Sequence, residues 1–108
     1  MNFTEAKYVV IFTSKRTDDD NGYQEMAKQM EHLAEQQSGF LGMTSVKDAI
    51  GVTLSYWSSL EAIQLWKANS SHLYAQQKGQ RDWYDWYKVE VCEIKRAYEY
   101  SSNPTDIT

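Results

Sequence analysis

Residues 7 to 15 read KYVVIFTSK, a β-branched and aromatic run that predicts a first strand. Tyr8, Val10 and Phe12 fall on one side of it and Val9 and Ile11 on the other. Apolar side chains on both sides predict a strand covered on both faces. The polar stretch TDDDNG follows, with turn and N-cap chemistry, and behind it Tyr23, Met26, Ala27, Met30, Leu33 and Ala34 recur at helical spacing. The expected result is an amphipathic helix ending near Gly39. GFLGMTSVKD and GVTLSYW predict a second and a third strand, joined as a hairpin around DAIG.

SSLE matches the capping-box pattern, with Ser58 as the N-cap and Glu61 reaching back, so a second helix starts there. Leu60, Ile63 and Trp66 share a face, but NSS at 69 to 71 offers another cap. The segment is therefore expected to break and restart as a further helix through HLYAQQKGQRDW. WYKVEVCEIKRAYEY predicts one long last strand, with Val89 and Val91 alternating against Lys88 and Glu90. The tail SSNPTDIT, residues 101 to 108, is polar, holds the one proline and is expected to fray, which leaves a single domain over residues 1 to 100.

The order β, α, β, β, broken α, β is an α+β, ferredoxin-like arrangement, with helices covering one face of an antiparallel sheet. The apolar residues on the other face of the first strand, and Val52, Leu54 and Tyr56 opposite Trp57, predict a second layer. Another copy of the chain supplies it most simply, in a two-fold homodimer packed sheet to sheet.

Composition narrows the function. The 108 residues are 42% hydrophobic and 24% charged, ordinary globular usage. Four Trp, eight Tyr and three Phe exceed what so small a core needs, which points to a partner surface or an aromatic-lined pocket. A net charge of −4 provides no basic field for phosphate backbones, so no nucleic acid partner is expected. No segment has the length to span a bilayer, and the apolar run near the N-terminus is too short and strand-like for a signal sequence. One cysteine, Cys92, excludes an intramolecular disulfide and fits a reducing, cytoplasmic compartment.

Candidate chemistry is sparse. Asp18, Asp19 and Asp20 suggest a metal site, but against a calcium loop the first ligand position falls on Thr17 and the last on Lys28, so the pattern fails. Cys92 lies inside a predicted strand with no basic neighbour to activate a thiolate. His32 sits off the apolar stripe of its helix and reads as a surface residue. His72, six residues after Trp66 and three after Asn69, falls at the restart of the broken helix. Two readings of it stay open: a polar group held over a pocket, or a half-exposed residue of a helix N-terminus. Trp66 reads as a core residue, and Trp83, Tyr84, Trp86 and Tyr87 as core or subunit interface.

YVVIFTSK, the helix leading into SGFLGMTSV and above all SYWSSLEAIQLWKANSSH resemble the antibiotic biosynthesis monooxygenase domain family of the dimeric α/β-barrel superfamily. The resemblance spans roughly residues 7 to 98, and its most specific part places Trp57, Ser59, Glu61, Ala62, Trp66 and His72 at the family's recurring positions. It implies a barrel-like dimer with a cavity between sheet and helices in each protomer. It also implies oxidation of a phenolic substrate by molecular oxygen, with no metal, flavin or haem. Trp66, Trp57 and Tyr56 would then bind the small aromatic substrate, and Asn69 and His72 would hydrogen-bond the phenolate or take its proton. A non-catalytic homodimer that binds a small aromatic ligand is the alternative. Relatives that degrade haem carry a histidine about ten residues after the helix tryptophan and an asparagine in the first strand. Here the first place holds Gln76 and the strand has no asparagine, which disfavours haem degradation.

Overall fold

The structure, a computed structural model, describes residues 6–102. The readings of the N-terminal residues 1–5 and of the tail from residue 103 lie outside the described residues. The chain runs β1 (Tyr8–Arg16), α1 (Tyr23–Glu35), β2 (Phe40–Lys47), β3 (Gly51–Trp57), α2 (Leu60–Ala68), α3 (Ser70–Lys78), a π-helical turn (Gly79–Trp83) and β4 (Tyr84–Glu93). The four strands form one antiparallel sheet in the order β2-β3-β1-β4, the ferredoxin-like βαββαβ arrangement.

Register and alternation together divide the sheet into two faces. On β1, Tyr8, Val10, Phe12 and Ser14 align with Trp57, Ser55, Thr53 and Gly51 of β3 and with Glu93, Val91, Val89 and Tyr87 of β4. The helices lie on this side, since Trp57 meets Trp66 of α2 and the ring of Tyr23 in α1 meets Tyr84. Val9, Ile11, Val52, Leu54 and Tyr56 occupy the opposite face, and none of them is buried. The two-sided apolar character read from β1 is thus present, with helices covering only one side.

Trp57 is the most deeply buried large side chain among the described residues, at 1% exposure, and Ala62 of α2 is buried as well. Gly39 permits the close approach of Ala62: its φ is +87°, and a Cβ there would stand 2.6 Å from the Ala62 Cβ. At the helix starts, sequence and structure differ. The cap of α2 is Ser59, one residue later than the capping-box pattern places it: its backbone is extended and its hydroxyl accepts from Ala62 N at 3.1 Å. Glu61 then sits in the first turn, where it favours the helix dipole without closing a capping box. The α1 helix begins at Gly22 with no side-chain cap, so none of the three aspartates caps it.

The last strand ends at Glu93, although the alternation continues to Tyr100. Among the described residues the final ladder bond runs from Ile94 N to Lys7 O. The expected long third helix also divides, into α3 and the π-helical turn. That turn is fastened to the loop before α1: Thr17 N and Arg16 Nε donate to Trp83 O, Thr17 Oγ1 donates to Asp82 O, and Trp83 Nε1 donates to Asn21 O.

Candidate functional site

The break between α2 and α3 builds the site. Helix α2 stops at Ala68, so the carbonyl of Trp66 has no full helical turn above it. Asn69 N donates to it at 3.1 Å, and Nδ1 of His72 lies 3.0 Å away. The side-chain oxygen of Asn69 accepts from Ser71 N and His72 N at 3.0 and 3.2 Å, capping α3 as the NSS pattern predicted. Asn69 thus fixes the backbone of His72, and Trp66 fixes its ring.

A carbonyl oxygen only accepts, so Nδ1 carries the proton and the neutral ring presents its lone pair at Nε2. The imidazole is half-buried, and that desolvation lowers its pKa despite the opposing effect of the bond to Trp66. The ring also lies flat on the indole of Trp66, centroids 4.2 Å apart and planes 14° apart. The result is a neutral, oriented base on an aromatic platform.

Behind the platform, Trp66 meets Trp57 at 6.4 Å, and Phe40 packs edge-on against Trp57 at 5.3 Å. The indole N–H of Trp57 is satisfied by the Ser55 hydroxyl at 2.9 Å. Trp57 is therefore the support of Trp66 rather than an open wall. Strand alternation places Tyr56 on the opposite sheet face, away from this group. Of the sequence-predicted residues, His72, Asn69, Trp66 and Trp57 come together and Tyr56 does not.

A cleft of about 280 Å³ opens at the other end of α2, among Lys7, Tyr8, Ser59, Leu60, Glu93 and Ile94. Next to it on the helix side, Val91 and Val89 of β4 remain 49% and 51% exposed, because α2 packs towards β3 and leaves this strip open. His32 is exposed, as its position off the apolar stripe predicted. Among the described residues, no three His, Cys, Asp or Glu side chains gather as a metal-ligand set, and no helix is long and apolar enough to cross a membrane.

Sequence reading missed a second cluster. Tyr84, Tyr87 and Phe12 pack together, Tyr23 stands edge-on to Tyr84 and Trp83, and the Arg16 guanidinium lies 3.4 Å over the Tyr23 ring. Burial and the hydrogen bond to Tyr23 push the Tyr84 hydroxyl far above the usual phenol range. Trp83, Tyr84 and Tyr87 thus serve the protomer's interior, and of the four only Trp86, 44% exposed, remains for an interface. The Asp82 carboxylate anchors the turn, bonded to Lys78 at 2.6 Å, which holds its pKa below the ordinary value. No residue spacing signals a π-helical turn, so only the Gly and Asp composition of GQRDW hinted at irregular backbone.

No family model matches the chain. The protein YqjZ of Bacillus subtilis, described as uncharacterized, is 42% identical over 101 residues, spanning 92% of this chain and 89% of that protein. Among solved structures, a candidate antibiotic biosynthesis monooxygenase from Deinococcus radiodurans superposes with a TM-score of 0.74 at 15% identity, over 88% of this chain and 99% of that one. A variant of SnoaB, a cofactor-independent oxygenase from Streptomyces nogalater, superposes with a TM-score of 0.73 at 9% identity, over 85% and 96%. A candidate monooxygenase of the same kind from Nitrosomonas europaea gives 0.72 at 11% identity, over 88% and 96%. The chain belongs to the family of YqjZ, and its fold is that of the antibiotic biosynthesis monooxygenase domain proteins.

Proposed function

We propose that this protein is a cofactor-independent monooxygenase that oxidises a small phenol- or quinol-type aromatic with molecular oxygen. The observation that carries the reading is His72, held neutral, with no hydrogen bond to its Nε2 among the described residues, on the face of Trp66. Such a base takes the phenolic proton, and a phenolate is electron-rich enough to reduce oxygen directly. The carboxamide of Asn69 uses its oxygen for the cap, which leaves its N–H2 to donate to the phenolate. Trp66 orients the ring, with Trp57 behind it.

The reaction balances without a further reductant. One phenol and one O2 give one quinone and one water: a ring C–H is replaced by C=O, one oxygen atom stays in the product and the other leaves as water. Residue, fold and the name of SnoaB support the same chemistry. We further propose a cytoplasmic homodimer packed through Val9, Ile11, Val52, Leu54 and Tyr56, which would bury these side chains.

Binding without turnover is the second reading, and the cleft beside Tyr8 and Leu60 favours it, being of small-ligand size and remote from His72. Metal-stripped protein incubated with anthrones and phenols under ¹⁸O2 separates the two. One labelled oxygen per quinone product supports the monooxygenase; saturable binding with no labelled product overturns it in favour of the ligand-binding dimer.

A further inference from the structure

Two cations lean on one ring at the end of the sheet opposite Trp57. The Arg16 guanidinium lies 3.4 Å from the centroid of Tyr23, and the Lys47 ammonium lies 5.3 Å from it. Neither forms an ion pair among the described residues, although the chain as a whole has a net charge of −4. Arg16 donates from Nε to the Trp83 carbonyl and from Nη2 to the Asp19 carbonyl, which leaves Nη1 with no partner among those residues. A ring face attracts a cation but does not neutralise it.

A second observation comes from the strands beneath. Ser14 shares its side of β1 with Arg16 by strand alternation; it is 7% exposed, and its hydroxyl makes no hydrogen bond among the described residues. Buried polar groups are otherwise paired, because an unpaired one is costly. No side-chain polar atom among those residues is both sealed from solvent and unpaired, so the Ser14 oxygen is recessed but open. Its cross-strand neighbour on β3 is Gly51, whose own neighbour on β2 is Lys47. The missing side chain leaves a notch there: a Cβ on Gly51 would stand 3.6 Å from Ser14 Oγ and 3.9 Å from Lys47 Cγ.

We propose that Ser14, Arg16 and Lys47 bind a small oxyanion, the phosphate or carboxylate group of a ligand, at the notch over Gly51. Two positive charges with uncommitted N–H donors, beside a hydroxyl free to donate, match a group that only accepts, and they repel a metal cation. An anion there satisfies the hydroxyl and neutralises both cations, and Arg16, being half-buried, is weakly screened by salt. The site is distinct from the group around His72, since Gly51 begins β3 and Trp57 ends it. It also faces the helices, away from the sheet face proposed to pair. The inference therefore stands apart from both the oxygenase reading and the dimer.

Titration calorimetry of the full chain with inorganic phosphate and, separately, with acetate, at constant pH and ionic strength, tests this. The expected result is saturable binding of a single anion per chain. Lys47→Gln and Ser14→Ala should each weaken it by roughly 10-fold, the usual loss for a hydrogen bond to a charged group, and Lys47→Arg should retain it. Gly51→Ala, which fills the notch with a methyl group at ordinary contact distance, should weaken it as well. Lys47 is exposed and the Ser14 hydroxyl is unbonded, so both variants should keep the parent's denaturation midpoint. Tighter phosphate supports the site with a phosphate ligand, and tighter acetate supports it with a carboxylate. No saturable heat with either probe overturns the site, and so does binding that Lys47→Gln and Ser14→Ala leave unchanged.

Discussion

The imidazole of His72 lies parallel to the indole of Trp66 at 4.2 Å while its Nδ1 is tied to the Trp66 carbonyl at 3.0 Å. One residue thus sets both the plane and the tautomer of the other. The six-residue spacing is not a helical contact; it exists because α2 ends and α3 restarts between them. The chemistry proposed for this protein depends on that break.

The burial of the two tryptophans ranks their contributions to stability. Trp57→Ala is expected to cost about 3 to 5 kcal/mol, as for a large aromatic removed from a closed core. Trp66→Ala should cost less, because its indole is only half-buried and its cavity opens to water. Urea denaturation of the two variants checks the order, and a larger loss for Trp66 would contradict it.

The tandem serines before α2 separate cleanly. Ser59→Ala loses the hydroxyl that accepts from Ala62 N and should cost about 1 kcal/mol. Ser58→Ala, exposed and outside the cap, should change stability by less than about 0.5 kcal/mol. Equal losses in the two denaturation midpoints would place the cap elsewhere.

Much of this was legible in the chain because its cause is local. Asn69 could be read as a cap from NSS alone, since an Asx side chain needs only the two amides that follow it. Strand β1 could be read from its own residues. What was not legible depends on partners distant in sequence. The capping-box pattern pointed to Ser58, yet the helix is capped by Ser59, with Ala62 of its first turn close against Gly39. The strand β4 ends at Glu93, opposite Tyr8 at the start of β1, and the alternation of IKRAYEY does not mark that end. Tyr56 follows the same aromatic signal as its neighbour Trp57, but alternation sends it to the other face. His72 left two readings open, and the Trp66 carbonyl, which no spacing rule predicts, gives it a fixed ring.

Asn69 offers a test of structural against chemical roles. Asn69→Asp keeps the capping oxygen and should preserve stability to within about 0.5 kcal/mol, while Asn69→Ala should cost about 1 kcal/mol. The aspartate replaces the amide N–H2 with a negative charge that a phenolate would avoid, so kcat falling in Asn69→Asp with stability intact gives this side chain a role at the substrate beyond capping. Unchanged kcat in that variant would confine Asn69 to capping.

His72 also links stability to pH. Burial places its pKa in the folded chain below the unfolded value of 6.5, so the unfolded chain takes the proton first as pH falls. Its contribution is complete above pH 6.5 and declines below it, through the interval down to the lowered folded pKa. Denaturation at pH 7.5 and at roughly pH 5.5 should show a loss on acidification that shrinks in His72→Gln. An identical loss in the variant would assign the titration to other groups.

Oxygen consumption by the metal-stripped protein across anthrones, hydroquinones and catechols, beside the His72→Ala variant at equal folded concentration, tests the central claim most directly. The proposed function predicts uptake with at least one phenolic substrate and a fall in kcat of roughly 100- to 10,000-fold in the variant, the usual contribution of a positioned general base. Uptake that survives His72→Ala unchanged would contradict the assignment of His72 as the base.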